Sequence, residues 1–178
     1  MNDTSKYGLP LGIIMRALGL KNDEEITNTI LAHAPPDKYD MLKIALLPTL
    51  MESSWCNSPR HARFIIGLLL DNNSFNIETL KETFNKPDIN VDALYKRIEN
   101  NEKRLVLPVL NILRDHFLAH IEDSFPEKAI FIGKMALETL MVSLGEAPPT
   151  DRDSMRFKRT DIAGFLVGTI FRDLYFRI

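Results

Sequence analysis

The 178-residue chain has a single cysteine, Cys56, and no long apolar run. One thiol excludes a disulfide framework and any site built from several thiolates, and it fits a reducing compartment. The longest uncharged apolar run near the end, IAGFLVGTIF, is ten residues, about half of the roughly 20 that a membrane helix requires. Its Gly164-x-x-x-Gly168 spacing therefore reads as close helix packing in a soluble core, not as a membrane helix pair. The start, MNDTSKYGLP, has no basic stretch followed by an apolar one, so no secretory signal is visible. Neither GxxxxGK(S/T) nor GxGxxG is present, so no Gly-rich cradle for phosphate is expected. The acidic residues are spread, without the tight cluster that a two-metal site needs.

What is there has ordinary globular proportions, with 45% hydrophobic and 26% charged residues. The length suits one domain with a real core. The net charge of −2 advertises no nucleic acid, yet residues 151–178 hold six basic and four acidic side chains, leaving the rest more acidic. That asymmetry permits a local basic patch and no more.

The apolar periodicity is helical nearly throughout, and no segment alternates as a strand does, so the fold class is all-α or nearly so. Leu11, Ile14, Met15 and Leu18 form one helical face ended by Gly19. Asp23 can cap a short helix, EEITNTILAH, that stops before Pro35-Pro36. YDMLKIALLPTLMESSW is a longer apolar segment in which Pro48 predicts a break or kink, and Pro59 starts another helix. Residues 71–102 are polar and Asn-rich, with short helices expected at Ile77–Phe84 and Val91–Ile98 and the character of a surface excursion. Further on, Val109, Leu110, Leu113, Phe117 and Ile121 fall on one stripe, with Pro108 in the first turn. The segment FPEKAIFIGKMALETLMVSLG is apolar on most faces, with Glu127, Lys134 and Glu138 as a thin polar stripe, which predicts a mostly buried helix ended by Gly145. A last helix runs from about Asp161 to the terminus.

Few residue patterns carry chemistry. His116 and His120 have the spacing that zinc hydrolases use, but Phe117 stands where the catalytic Glu would follow, and no third ligand is near in sequence. They read as two helix-surface histidines. Ser53, Ser54 and Cys56 lie near His61, yet nothing marks an oriented base or an oxyanion hole. The densest feature is PPTDRDSMRFKRTDIAG, in which Asp151, Arg152, Asp153, Arg156, Lys158, Arg159 and Asp161 crowd beside an apolar helix. Such groups are buried only when paired. They form either a solvated helix start, with Asp161 favourable at the N-terminus, or an interdomain or nucleic-acid surface whose arginines reach carboxylates or phosphates.

DRDSMRFKRTDIAGFLVGTIFRDLYF resembles a signature of the second-largest, β-like subunit of multisubunit DNA-directed RNA polymerases. In that family Asp-Arg-Asp is followed by Lys-Arg, then Leu-Asp-Leu-Ala-Gly, then a helix. Asp151, Arg152, Asp153, Lys158, Arg159, Asp161, Ala163, Gly164, Phe171 and Arg172 stand at matching places. KAIFIGKMALETLMVSLG, ILRDHFLAHI and LPLGIIMRALGLKNDEEI resemble three further family blocks, in the right order. There are departures: IIGLLLDNN replaces a family Gly-Lys-Arg-Gly stretch, and Leu-Ala-Gly-Pro-Leu reads Ile162-Ala163-Gly164-Phe165-Leu166. The Pro-Pro-Thr before Asp151 is similar to members from large DNA viruses.

The resemblance implies a non-catalytic lobe domain over residues 1–150, running into a return segment to the protrusion over 151–178. It implies a wall of the DNA cleft and a docking surface for transcription initiation factors. Partners would be other polymerase subunits and domains, and DNA, held weakly and without sequence preference; no membrane is involved. No cofactor is expected in this segment, the magnesium and zinc of the polymerase lying elsewhere. The setting would be intracellular: the nucleus, or a viral factory or virion for a viral member. The end at FRDLYFRI, in mid-helix, fits a fragment. A rival reading is a free-standing helical adaptor that binds proteins through its apolar last helix.

Overall fold

The computed structural model describes residues 8–71, 77–84, 96, 99–151, 153–158 and 163–177. Within them the chain is helical, with no strand. Two compact units are present, Met1–Ala147 and Pro148–Ile178. The first contains α1 (Leu11–Ala17), α2 (Asp23–Leu31), α3 (Tyr39–Glu52), α4 (Pro59–Asp71), α5 (Ile77–Phe84), α6 (Leu107–Asn111) and α7 (Phe125–Ser143). The second contains a 3-10 turn, Met155–Phe157, and α8 (Ala163–Tyr175). The helix expected at Val91–Ile98 lies outside the described residues apart from Lys96.

α1 is short but central. Ile13 and Ala17 belong to a core cluster with Trp55, Cys56, Ile65, Val109 and Leu113. Met15, two residues from each, belongs to a second cluster with Ile26, Ile30, Leu42, Leu46 and Leu137. The expected face of Leu11, Ile14, Met15 and Leu18 is therefore only partly correct, because Leu11 and Ile14 are half-exposed while Gly12, Ile13 and Ala17 are buried. Amphipathic spacing locates one stripe, and a helix packed on two sides has two. Gly12 allows the approach of the turn after α3: a Cβ there would lie 2.0 Å from the Ser53 hydroxyl oxygen. Gly133 does the same where α7 crosses α2, since its Cβ would meet the Thr29 carbonyl oxygen at 2.9 Å.

Three other expectations are corrected. α3 continues through Pro48, so the chain does not break there. Pro48 and Ile44 are both exposed, so the carbonyl deprived of its N–H donor lies on the solvent side. Residues 71–102 are not wholly a surface excursion, because Leu80 of α5 is buried and Phe84 stacks on Trp55 at 6.2 Å. α7 is not mostly buried: it buries Lys128, Ala129, Gly133 and Leu137, and exposes Ile130, Phe131, Met135 and Val142. Gly145 ends it with φ of +77°, as its position predicts.

The stretch before α7 also departs from a simple helix. π turns Glu102–Val106 and Ile112–His116 flank α6, and the Leu107 and Phe117 N–H groups each donate to a carbonyl five residues back. Pro108 falls in the first turn of α6, as expected, directly after the first wide turn. The helix ends at His116, so Phe117 and Ile121 do not continue the stripe of Val109 and Leu113.

Candidate functional site

Of the seven charged residues singled out between 151 and 161, the described ones are Asp151, Asp153, Arg156 and Lys158; Arg152, Arg159 and Asp161 lie outside the described residues. Local hydrogen bonds shape the segment. The Asp151 carboxylate accepts the Asp153 N–H at 3.0 Å, and the Ser154 hydroxyl accepts the Arg156 N–H at 3.4 Å, starting the 3-10 turn. Asp and Ser favour such turns because their side chains replace a backbone acceptor. Lys158 pairs with Asp153 at 3.6 Å, with both side chains largely in water. An exposed pair of that kind contributes little. Arg156 is exposed and forms no ion pair among the described residues.

Beyond this segment, α8 presents Phe165, Leu166, Val167, Ile170, Phe171 and Leu174 at 49–71% exposure. Gly164 and Gly168, read from sequence as a close-packing pair, have open space around them. This is a contiguous apolar surface on a helix bearing few charges, the kind of surface that marks an interaction site. Membrane crossing does not explain it, because no described helix is long and apolar enough to span a bilayer.

The first unit carries its own apolar relief. A groove of about 600 Å³ runs between α3 and α7, lined by Leu9, Leu46, Phe117, Leu118, Ile132 and Met135 among others. On α3, Met41, Ile44, Leu47 and Met51 are exposed at helical spacing.

The serines and the thiol considered as nucleophiles hydrogen-bond to backbone carbonyls. The Ser53 hydroxyl is buried and donates to the Leu50 carbonyl at 3.1 Å. Ser54 donates to Met51 at 2.9 Å. Burial pushes the Cys56 thiol up to about 11, against a smaller opposing effect of Arg16. Burial also pushes His61 down to about 4, and the nearby Arg16 guanidinium lowers it further. The His61 ring is T-shaped to Phe84 at 5.0 Å and to Trp55 at 6.4 Å. The imidazole is packed between aromatic rings, and its buried Nε2 has no hydrogen-bond partner among the described residues.

The His61 shift makes stability pH-dependent. The unfolded state takes up a proton near the ordinary value of 6.5 and the folded state only near 4. Stability should therefore fall as pH drops from about 6.5 to 4 and level off below, by at most about 3 kcal/mol. Urea unfolding across that range, with His61→Phe as the control that flattens the slope, checks it.

His116 and His120 are not neighbours on one helix face, because the helix ends at His116 and Phe117 is extended. His120 lies against the Phe131 ring at 5.1 Å. Among the described residues no group of three His, Cys, Asp or Glu side chains converges as metal ligands would.

Two buried cations escaped the sequence reading. The Arg16 guanidinium donates to the Ser53 carbonyl at 3.0 Å and pairs with Asp23, tying α1 to α2 and to the turn after α3. Asp23 is thus an ion-pair partner at the first position of α2, following Asn22, and not its cap. Lys128 is fully buried and donates to the carbonyls of Leu113, Arg114 and Phe117. A basic residue in an apolar run after a helix end is the only hint the sequence offers.

Residues 1–161 match the family model for RNA polymerase Rpb2, domain 2, and the chain belongs to that family. It is 29% identical, over 96% of its length, to the DNA-directed RNA polymerase II subunit RPB2 of Encephalitozoon cuniculi, and covers 13% of that protein. It is 27% identical to the DNA-directed RNA polymerase subunit Rpo2N of Methanocaldococcus jannaschii, over 92% of this chain and 28% of that one. Against the DNA-directed RNA polymerase III subunit 2 of Arabidopsis thaliana the identity is 24%, over 94% and 12%. The chain thus spans roughly an eighth to just over a quarter of these relatives.

Proposed function

We propose that this chain is the lobe segment of the second-largest subunit of a DNA-directed RNA polymerase and acts as a scaffold, with no catalytic residue of its own. The observation that carries the reading is the family match over residues 1–161, supported by the exposed apolar face of α8. In this reading the first unit forms part of one wall of the DNA cleft and offers docking surface to initiation factors. α8 is covered by the remainder of the subunit. The charge cluster from Asp151 to Asp161 anchors the lobe to the protrusion of the subunit.

Contact with DNA goes to phosphates, is independent of sequence and weakens with salt. It is weak for this chain alone because the net charge is −2. The magnesium and zinc of the enzyme are held by other segments, and the setting is intracellular.

Affinity purification of the tagged chain from its source tests the reading. Stoichiometric recovery of the largest polymerase subunit is expected. A single monodisperse species without polymerase subunits would instead favour the free-standing adaptor.

A further inference from the structure

The geometry points to a conformational device in the first unit: Lys128 is a clasp that holds Phe117 and Leu118 as a movable wall of the apolar groove. The inference goes beyond the polymerase assignment and does not depend on it. The sequence pattern of the segment favours one form and the structure shows another. Val109, Leu113, Phe117 and Ile121 recur every four residues, a pattern that favours continuing the helix. The chain instead leaves the helix at His116 through a π turn, turns extended at Phe117, and passes through Leu118 with φ of +50°. A left-handed conformation is unfavourable for a leucine and unnecessary in a helix.

What selects the broken form is on the facing helix. The Lys128 ammonium, fully buried on α7, donates to the carbonyls of Leu113 at 2.9 Å, Arg114 at 2.6 Å and Phe117 at 2.8 Å. All three donors of the ammonium are used. No carboxylate pairs with it among the described residues, so the negative end of the π turn is its counter-charge. Were the helix to continue, Phe117 would no longer present its carbonyl to Lys128, and Phe117 and Leu118 would leave the groove they line. The clasp and the wall are therefore one two-state element. The remaining restraints are two backbone hydrogen bonds, Ile121 N–H to Leu118 and Ser124 N–H to Glu122, the packing of Phe117 on the core and the His120 ring against Phe131.

Amide hydrogen exchange on the full chain tests this. In the wild type the Phe117, Ile121 and Ser124 amides should exchange with one common opening, about tenfold or more faster than those of Ile26 and Ile30 in α2. Lys128→Met should accelerate the three by a further factor of roughly ten to a hundred while leaving α2 unchanged, since charge-assisted hydrogen bonds are lost. Unchanged exchange of the three would overturn the proposal, because packing alone would then hold the wall. Equal acceleration throughout α2 would also overturn it, by making Lys128 a general core residue. Should Lys128→Met not fold, the wild-type measurement decides: protection of the three amides equal to that of α2 would exclude a separately opening wall.

Discussion

Ile170→Asp, placed on the apolar face of α8 in the full-length subunit, is expected to lower recovery of the assembled polymerase by more than a hundredfold. The far-ultraviolet circular dichroism of the chain itself should stay the same. Ile170 is 60% exposed and Phe171 beside it 71% exposed, so neither supports the fold of its own unit. Covering an isoleucine is worth about 2 kcal/mol, and covering an uncompensated carboxylate costs at least as much again. Together they exceed the ~3 kcal/mol that corresponds to a hundredfold change in the equilibrium for covering α8 with the rest of the subunit, on which assembly depends. The measurement is the quantity of largest subunit recovered with the tagged variant and with the wild type. Equal recovery would mean that α8 stays uncovered in the assembly, and the scaffold reading would lose its main structural support.

Arg16→Met should destabilise the first unit by about 2–3 kcal/mol, seen as a lower urea midpoint with an unchanged slope. Methionine retains most of the packing of the arginine stem, so the loss isolates the polar contacts. The Ser53 carbonyl keeps the Cys56 N–H but loses the guanidinium donor, and a buried hydrogen bond from a charged group is worth about 1.5–3 kcal/mol. Asp23 is half in water, so the loss of its ion pair adds little. Asp23→Ala should accordingly cost well under half as much as Arg16→Met. A comparable cost for the two would shift the weight from the Ser53 carbonyl to the ion pair. The arginine variant should also titrate less steeply below pH 6.5, because the guanidinium is one of the two causes that keep His61 neutral.

The helical class and several helix boundaries were legible from local signals. Pro59 opens α4, Gly145 closes α7, and Pro35-Pro36 follow α2, each through backbone chemistry that needs no knowledge of the partner. Burial was less legible. α7 reads as buried because it is apolar on most sides, yet it fully buries only Lys128, Ala129, Gly133 and Leu137, with Ile132, Ala136 and Leu140 partly covered and Ile130, Phe131 and Met135 left exposed. Apolar periodicity reports which residues avoid water, not which surfaces a given stretch of chain can cover. The π turns were not legible at all: a five-residue hydrogen bond leaves no mark on a four-residue pattern, and Lys128, which holds the second one, is 15 residues beyond Leu113. The charged segment stood out by its density of charge, but its role was read only from resemblance to a family. Its described part is a solvated turn with one weak ion pair.

The state of Cys56 has a practical consequence. The thiol is fully enclosed among Ile13, Trp55 and Ile65 and pushed up to about 11, so almost no thiolate exists at neutral pH and reagents have no path to it. The wild-type chain is therefore a silent background for maleimide chemistry. A cysteine introduced on α8, at the lip of the groove or beside Lys158 would be the sole reactive position. Fluorophores or spin labels could then follow each surface separately, with no need to remove a native residue from the core.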